Sequence, residues 1–222
     1  MKIDIVTLFP KMFEGPFAES MIYKAKLKNL VEINIHDLRK WGEGERRTVD
    51  DRPYGGGVGM LLRVDIVDAC LKDLRKPNSK VVLMDAGGEK FTQQKAIDFS
   101  KEKHLIILAG HYEGFDHRVH EHLVDEIISI GDFILTGGEI PAMAITDAIV
   151  RLLPGVLEKE GAKEIESFSE NLLEFPQYTR PDEYQGWKVP DILKTGHHKE
   201  IENWRKQEAL KKTQKIRPDL LD

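Results

Sequence analysis

The sequence predicts an α/β protein with a largely parallel sheet, followed by a small all-helical C-terminal domain. Three observations carry this. Strand-type segments alternate with helical patterns over residues 1–157, as in a sheet built from crossover units. Two of the strands, VVLM (81–84) and LIILA (105–109), are continuous apolar runs of the kind buried on both faces of a parallel sheet. The pattern then breaks after Pro154-Gly155, where the charged stretch LEKEGAKEIESF (157–168) offers nothing to a core.

The first strand is expected over 2–9, with Ile3 and Ile5 on one face, and the second over 31–38, carrying Val31, Ile33 and Ile35. Between them, Met12, Phe13, Phe17 and Met21 mark a helical stretch over 11–29. Further strands are expected at 80–85, 104–109 and 126–135. Helices are expected at 64–74, 92–101 and 141–153, the last with Pro141 in its first turn. Residues 158–166 read as a flexible linker. Residues 167–222 read as a helical domain with segments at 169–173, 190–193 and 198–214.

With 222 residues and 41% hydrophobic content, the chain is long enough for a real core. The net charge of −5 gives no global argument for nucleic acid. The C-terminal stretch from Lys194 to Arg217 is different. It holds eight lysines and arginines against three glutamates, the footprint of a phosphate-backbone contact or of a solvated cationic face. The lone cysteine, Cys70, excludes a disulfide within the chain and sits in a helical pattern as a small core residue. There is no signal-peptide pattern and no apolar run of membrane-spanning length, so a cytoplasmic protein is expected.

Four glycine clusters punctuate the chain: PYGGGVGM (53–60), DAGGEKF (85–91), AGHYEGFD (109–116) and SIGDFILTGGEIPAM (129–143). A phosphate loop needs Gly-Lys followed by Ser or Thr, and no Gly-Lys pair occurs. The dinucleotide fingerprint is also missing, since Met60 stands where its last glycine belongs. Three of the clusters follow apolar strands, and in an open α/β sheet ligands bind beyond the carboxyl ends of strands. These loops contain few cations, so a triphosphate is a poor guest. A flat, weakly charged ligand held by backbone groups, such as an adenosine with a short amino-acid tail, fits better. The histidines at 117, 120 and 122 match no familiar metal-ligand spacing.

Six motifs together resemble the bacterial tRNA (guanine-N1)-methyltransferase (TrmD) family of the SPOUT superfamily. They are VTLFP (6–10), TVDDRPYGGGVGM (48–60), GHYEGFDHRV (110–119), SIGDFILTGGEIPAM, RLLPGVL (151–157) and PQYTRP (176–181). The resemblance implies a SPOUT-type domain with a C-terminal trefoil knot that holds S-adenosyl-L-methionine in a bent shape. Gly131, Gly137 and Gly138 would close around adenine and ribose, with Ile130, Asp132, Phe133, Ile134, Leu135 and Pro141 contributing. Gly110, Tyr112, Glu113 and Gly114 would form the facing wall. The resemblance also implies a homodimer with shared active sites, a helical domain gripping tRNA, and an Mg2+ dependence with the ion sought near Glu113. Arg151 would meet guanine O6, and Asp50 and Ser167 would contact the tRNA. Membrane and DNA are not implied as partners.

The chain departs from the family pattern at three places. Glu166-Ser167-Phe168 stands where the family has Asp-Ser-Phe, so the expected proton acceptor is Glu166, with Glu164 or a metal-bound water as alternatives. Val58 replaces a proline in the glycine run, and DAGG (85–88) replaces SPQG. Two competing readings are a SPOUT methyltransferase with another RNA target and a non-catalytic protein that binds nucleic acid through its basic C-terminal helix.

Overall fold

The computed structural model describes residues 1–157, 166–168 and 171–221. It divides into two compact units, Met1–Glu158 and Lys159–Asp222. The elements in chain order begin with β1 (Lys2–Thr7), α1 (Glu14–Phe17), α2 (Ser20–Leu27), β2 (Glu32–Asp37), β3 (Asp50–Asp51), β4 (Leu61–Leu62) and α3 (Val64–Leu74). They continue with β5 (Ser79–Lys90), α4 (Gln93–Ser100), β6 (His104–Ala109), α5 (His117–His122), β7 (Glu126–Ser129) and α6 (Glu139–Val150). The second unit holds β8 (Glu183–Tyr184), β9 (Trp187–Lys188) and α7 (His198–Ile216).

Five strands form one sheet in the order β2-β1-β6-β5-β7, every pair parallel. The alternation read from the sequence sets its two faces. Ile3, Ile5, Val82, Leu105 and Ile107 point into one core, which α2, α4 and α6 cover. Val6, Val81, Leu83, Ile106 and Leu108 point into the other, which α3 and α5 cover. Every residue of β6 is buried, as its continuous apolar run requires. Cys70 lies fully buried in the second core, where burial pushes its thiol up to about 12.

Several boundaries differ from the sequence expectation. The stretch 11–29 is not one helix but a 3-10 turn (Pro10–Phe13) followed by α1 and α2, with Ser20 at φ 56°. Pro16 has no N–H to continue an α-helical ladder. β7 stops at Ser129 rather than 135, because the Ser129 hydroxyl binds the Gly131 carbonyl (3.0 Å) and accepts from the Gly131 amide (3.2 Å), turning the chain. β5 runs on to Lys90, with an irregularity in its pairing to β7 between Met84 and Glu89. Residues 85–88 bulge out of the ladder there. The helix α5 was not read from the sequence.

The second unit is not all helical, since β8 and β9 form a short antiparallel ladder. Residues 171–173 are not helical, and 169–170 lie outside the described residues. Its interior is small. Thr213 is fully buried, bonded by its hydroxyl to the Ala209 carbonyl (2.8 Å) and accepting from the Leu173 amide (2.9 Å).

One polar cluster sits inside the sheet of the first unit. Asp4, fully buried on β1, accepts hydrogen bonds from Lys2 (2.8 Å), Asn34 (3.0 Å), His36 (3.0 Å) and His104 (2.8 Å). The period of two puts all five side chains on the same face of neighbouring strands. Burial alone would raise the Asp4 carboxyl, but these four bonds outweigh it and hold it well below the usual carboxylate range.

A carboxylate whose folded pKa is depressed stabilises the fold above its unfolded pKa and loses that contribution as acid protonates it. Asp4→Ala is therefore expected to cost about 3 kcal/mol in urea unfolding at neutral pH. The wild type should lose this advantage progressively below about pH 4, where the two proteins converge in stability.

Candidate functional site

The bulge of β5 and the carboxyl ends of β6 and β7 open onto one cavity of about 310 Å³. Three of the glycine clusters line it. The bulge after Met84 contributes Asp85 and Ala86, the loop after β6 contributes Gly110 to Phe115, and the loop after β7 contributes Ile130, Gly131 and residues 133–138. Pro141, in the first turn of α6, completes the wall. Of the residues named for a cofactor, all but the exposed Asp132 lie on this lining.

The loops are joined by backbone. The Gly138 amide donates to the Gly110 carbonyl (2.7 Å), and His111 and Gly137 form an isolated antiparallel bridge. This approach needs glycine. A Cβ on Gly138 would lie 2.9 Å from both Ala109 Cα and Gly110 N, which are backbone atoms that cannot step aside. The wall opposite is a tight turn closed by the Gly114 amide on the His111 carbonyl (3.1 Å). It holds Tyr112 at φ 60°, a conformation that costs a non-glycine residue on the order of 1 kcal/mol.

The fourth cluster, PYGGGVGM, does not line the cavity but braces it. It is the loop between β3 and β4, and the Glu113 amide donates to the Met60 carbonyl (3.1 Å) at its end. Leu62 donates to the Gly114 carbonyl (2.9 Å) and accepts from the Asp116 amide (2.9 Å). Asp50 stands in β3 opposite Leu62, half-buried, so its strand is one ladder step from the cavity wall.

Electrostatically, the lining carries two carboxylates, Asp85 and Glu113, and neither lysine nor arginine among the described residues. Burial alone would raise Asp85, but the bond from His120 Nε2 (3.0 Å) and that from the Gly87 amide (2.7 Å) outweigh it and keep its carboxyl below the usual range. Apolar side chains (Phe133, Ile134, Leu135, Pro141) supply the flat surface of the pocket.

Arg151 lies outside the lining. It caps the C-terminal end of α6, half-buried, with its amide on the Asp147 carbonyl (3.1 Å). A cation is electrostatically favoured at that helix end. Glu166 and Ser167 belong to the second unit, both half-buried, and the Ser167 hydroxyl accepts from the Glu174 amide (3.0 Å). Glu164 and residues 158–165 of the expected linker lie outside the described residues. No group of three or more metal-ligating side chains occurs among the described residues.

One supporting residue had no role in the sequence reading. Glu139 opens α6 directly after the two glycines and is buried to 1% exposure. The Thr7 hydroxyl donates to its Oε1 (2.8 Å), and His111 Nδ1 stands 3.5 Å from its Oε2. It thus ties the end of β1 and the cavity wall to the first turn of α6, where a carboxylate is favoured by the helix dipole. The available signal was an acidic residue at a helix start just behind a Gly-Gly pair.

The whole chain, residues 1–222, matches the family described as tRNA (Guanine-1)-methyltransferase TrmD. It is 52% identical over 225 residues to a Bacillus pumilus protein named tRNA (guanine-N(1)-)-methyltransferase, covering 100% of this chain and 92% of that one. Proteins of the same name from Geobacter sp. (strain M21) and Bacillus subtilis are each 50% identical over 224 residues. They too align with 100% of this chain, and with 90% and 92% of their own lengths respectively.

The loop crossing at Gly138 sets a direct test. Gly138→Ala is expected to lower stability in urea unfolding by about 2 kcal/mol through forced backbone displacement. The same change at Gly15, whose Cβ position has no atom within 4 Å, should be near neutral.

Proposed function

The chain belongs to the tRNA (guanine-N1)-methyltransferase family, and from that premise we propose that its target is the guanine at position 37, next to the anticodon. It is an enzyme that transfers a methyl group from S-adenosyl-L-methionine to N1 of guanine in tRNA. The observation that carries the site is the convergence of the three glycine-bearing loops on one cavity with apolar walls, exposed backbone and no lining lysine or arginine among the described residues. A flat base with a cationic tail suits such a lining, and the two carboxylates suit the charge of that tail.

In this reading the residues of two of the loops, from Gly110 to Gly114 and from Ile130 to Gly138, bind the donor, with Pro141 closing one side. Asp132, exposed beside them, borders the site. A trefoil knot belongs to this reading, and the Gly138–Gly110 contact brings together the segments after β7 and β6 that it would involve. When bound, S-adenosylmethionine supplies a methyl group on a sulfonium, an electrophile that needs no further activation. Guanine N1 carries a proton and is a weak nucleophile. Glu166 takes that proton as the N1 lone pair bonds to the methyl carbon, and the former carbon–sulfur pair remains on sulfur. Arg151 meets the negative charge that develops on guanine O6.

Glutamate is longer than aspartate by one C–C bond, about 1.5 Å, so the chain around Glu166 must sit further back than an aspartate would require. Asp50 and Ser167 contact the tRNA, Asp50 from the strand leading into the 53–60 loop. Bases of an anticodon loop are single-stranded and open to reading on their edges. The second unit, with the cationic α7, grips the tRNA backbone. An Mg2+ ion, if required, would find the Glu113 carboxylate as a ligand, but no group of three or more ligating side chains occurs there among the described residues. Exposed apolar side chains at Tyr54, Val58 and Ile134 support a homodimer with shared active sites. The cytoplasm, where tRNA is found, is the expected location.

Radiolabelled S-adenosylmethionine with two unmodified transcripts tests the target. Label is expected only in the transcript with guanine at position 37, recovered as 1-methylguanosine. Equal labelling of an adenine-37 transcript would move the site elsewhere in the tRNA. Glu166→Gln should slow single-turnover methylation about 10²–10⁴-fold with little change in donor binding, and full retained turnover would remove Glu166 as the base.

A further inference from the structure

Asp85 sits in the bulge of β5, the point where the ladder to β7 is interrupted and the chain swings toward the cavity. Its side chain is about one-third exposed and aimed by two bonds, one to each oxygen. The Gly87 amide donates to Oδ1, and His120 Nε2 lies 3.0 Å from Oδ2. Each oxygen keeps a lone pair for a ligand. His120 Nδ1 is buried with no partner among the described residues. Asp85 thus turns its carboxylate to the cavity, its orientation fixed by His120 and the Gly87 amide. Glu113 is the other acidic residue of the lining, and no cation among the described lining residues offsets the two.

Methyl transfer changes the charge of the molecule in this cavity. S-adenosylmethionine carries a sulfonium, an ammonium and a carboxylate, net +1. S-adenosylhomocysteine has lost the sulfonium charge and is net neutral. We propose that Asp85 is a specificity-determining residue, whose fixed carboxylate favours the cationic methyl donor over the demethylated product and so speeds exchange of one for the other. The inference rests on the cofactor reading above, and goes beyond it in assigning the discrimination between donor and product to one side chain.

Calorimetric binding of both ligands to the full-length protein, without tRNA, tests it. For Asp85→Asn, the ratio of S-adenosylhomocysteine Kd to S-adenosylmethionine Kd should fall about fivefold relative to wild type, through weaker donor binding. Asp85→Ser, which keeps a short acceptor for the Gly87 amide, should shift the ratio in the same direction and guards against a folding defect in the first variant. An equal loss for both ligands would mean that Asp85 holds a part they share, such as the ribose hydroxyls, and would overturn the inference. An unchanged ratio would do the same. A wild type that binds neither ligand would overturn the cofactor reading itself and the inference with it.

Discussion

The first unit depends on one close approach, the passage of the chain at Gly138 against Ala109 and Gly110. Two segments meet there backbone to backbone, with no room for a single side-chain carbon. The contact brings the loop after β7 onto the loop after β6, and those two loops are most of the cavity. It also starts α6 at a set place, because the residue after Gly138 opens that helix. Glu139 then ties the same point to β1 through Thr7 and to the cavity wall beside His111. A steric permission and a buried carboxylate thus act on adjacent residues.

The sheet provides the rigid frame for this. Its strands run parallel, so the carboxyl ends of β5, β6 and β7 share one edge, and the loops that follow them must gather there. The frame is largely apolar on both faces, and its main polar cluster centres on Asp4, whose four partners satisfy it completely enough to hold it ionised. The bulge in β5 adds a second carboxylate, beside that of Glu113, to a pocket formed largely by backbone and apolar groups. Asp85 reaches the cavity only because residues 85–88 leave the ladder.

The second unit follows a different economy. Its long helix is polar around most of its circumference, and few of its residues are buried. Contacts made by charged side-chain ends supplement a small core, such as the Arg205 guanidinium over the Phe175 ring at 4.8 Å and the Lys212 ammonium on the Glu174 carbonyl at 2.9 Å. A unit of this kind keeps most of its charged side chains at the surface and buries little apolar area.

The five strands of the parallel sheet, the helix at 64–74, the glycine loops and the family motifs were legible in the sequence, because each is written in residues close together in the chain, whereas the short strands β3, β4, β8 and β9 were not. Alternation reveals a face, a continuous apolar run reveals burial on two faces, and a glycine marks where backbone comes close. What those glycines come close to was not legible. The bond between Thr7 and Glu139 spans 132 positions, and the pair of Asp85 with His120 spans 35. The bulge that carries Asp85 depends on the pairing of β5 with β7, whereas the break of the 11–29 stretch at Pro16 and the end of β7 at the Ser129–Gly131 turn are local features that the apolar pattern masked. The sequence by itself determined the α/β class and the residues able to make a binding site. Only the folded chain decided which of them meet, because convergence depends on how the sheet stacks distant segments side by side, and no local pattern records that.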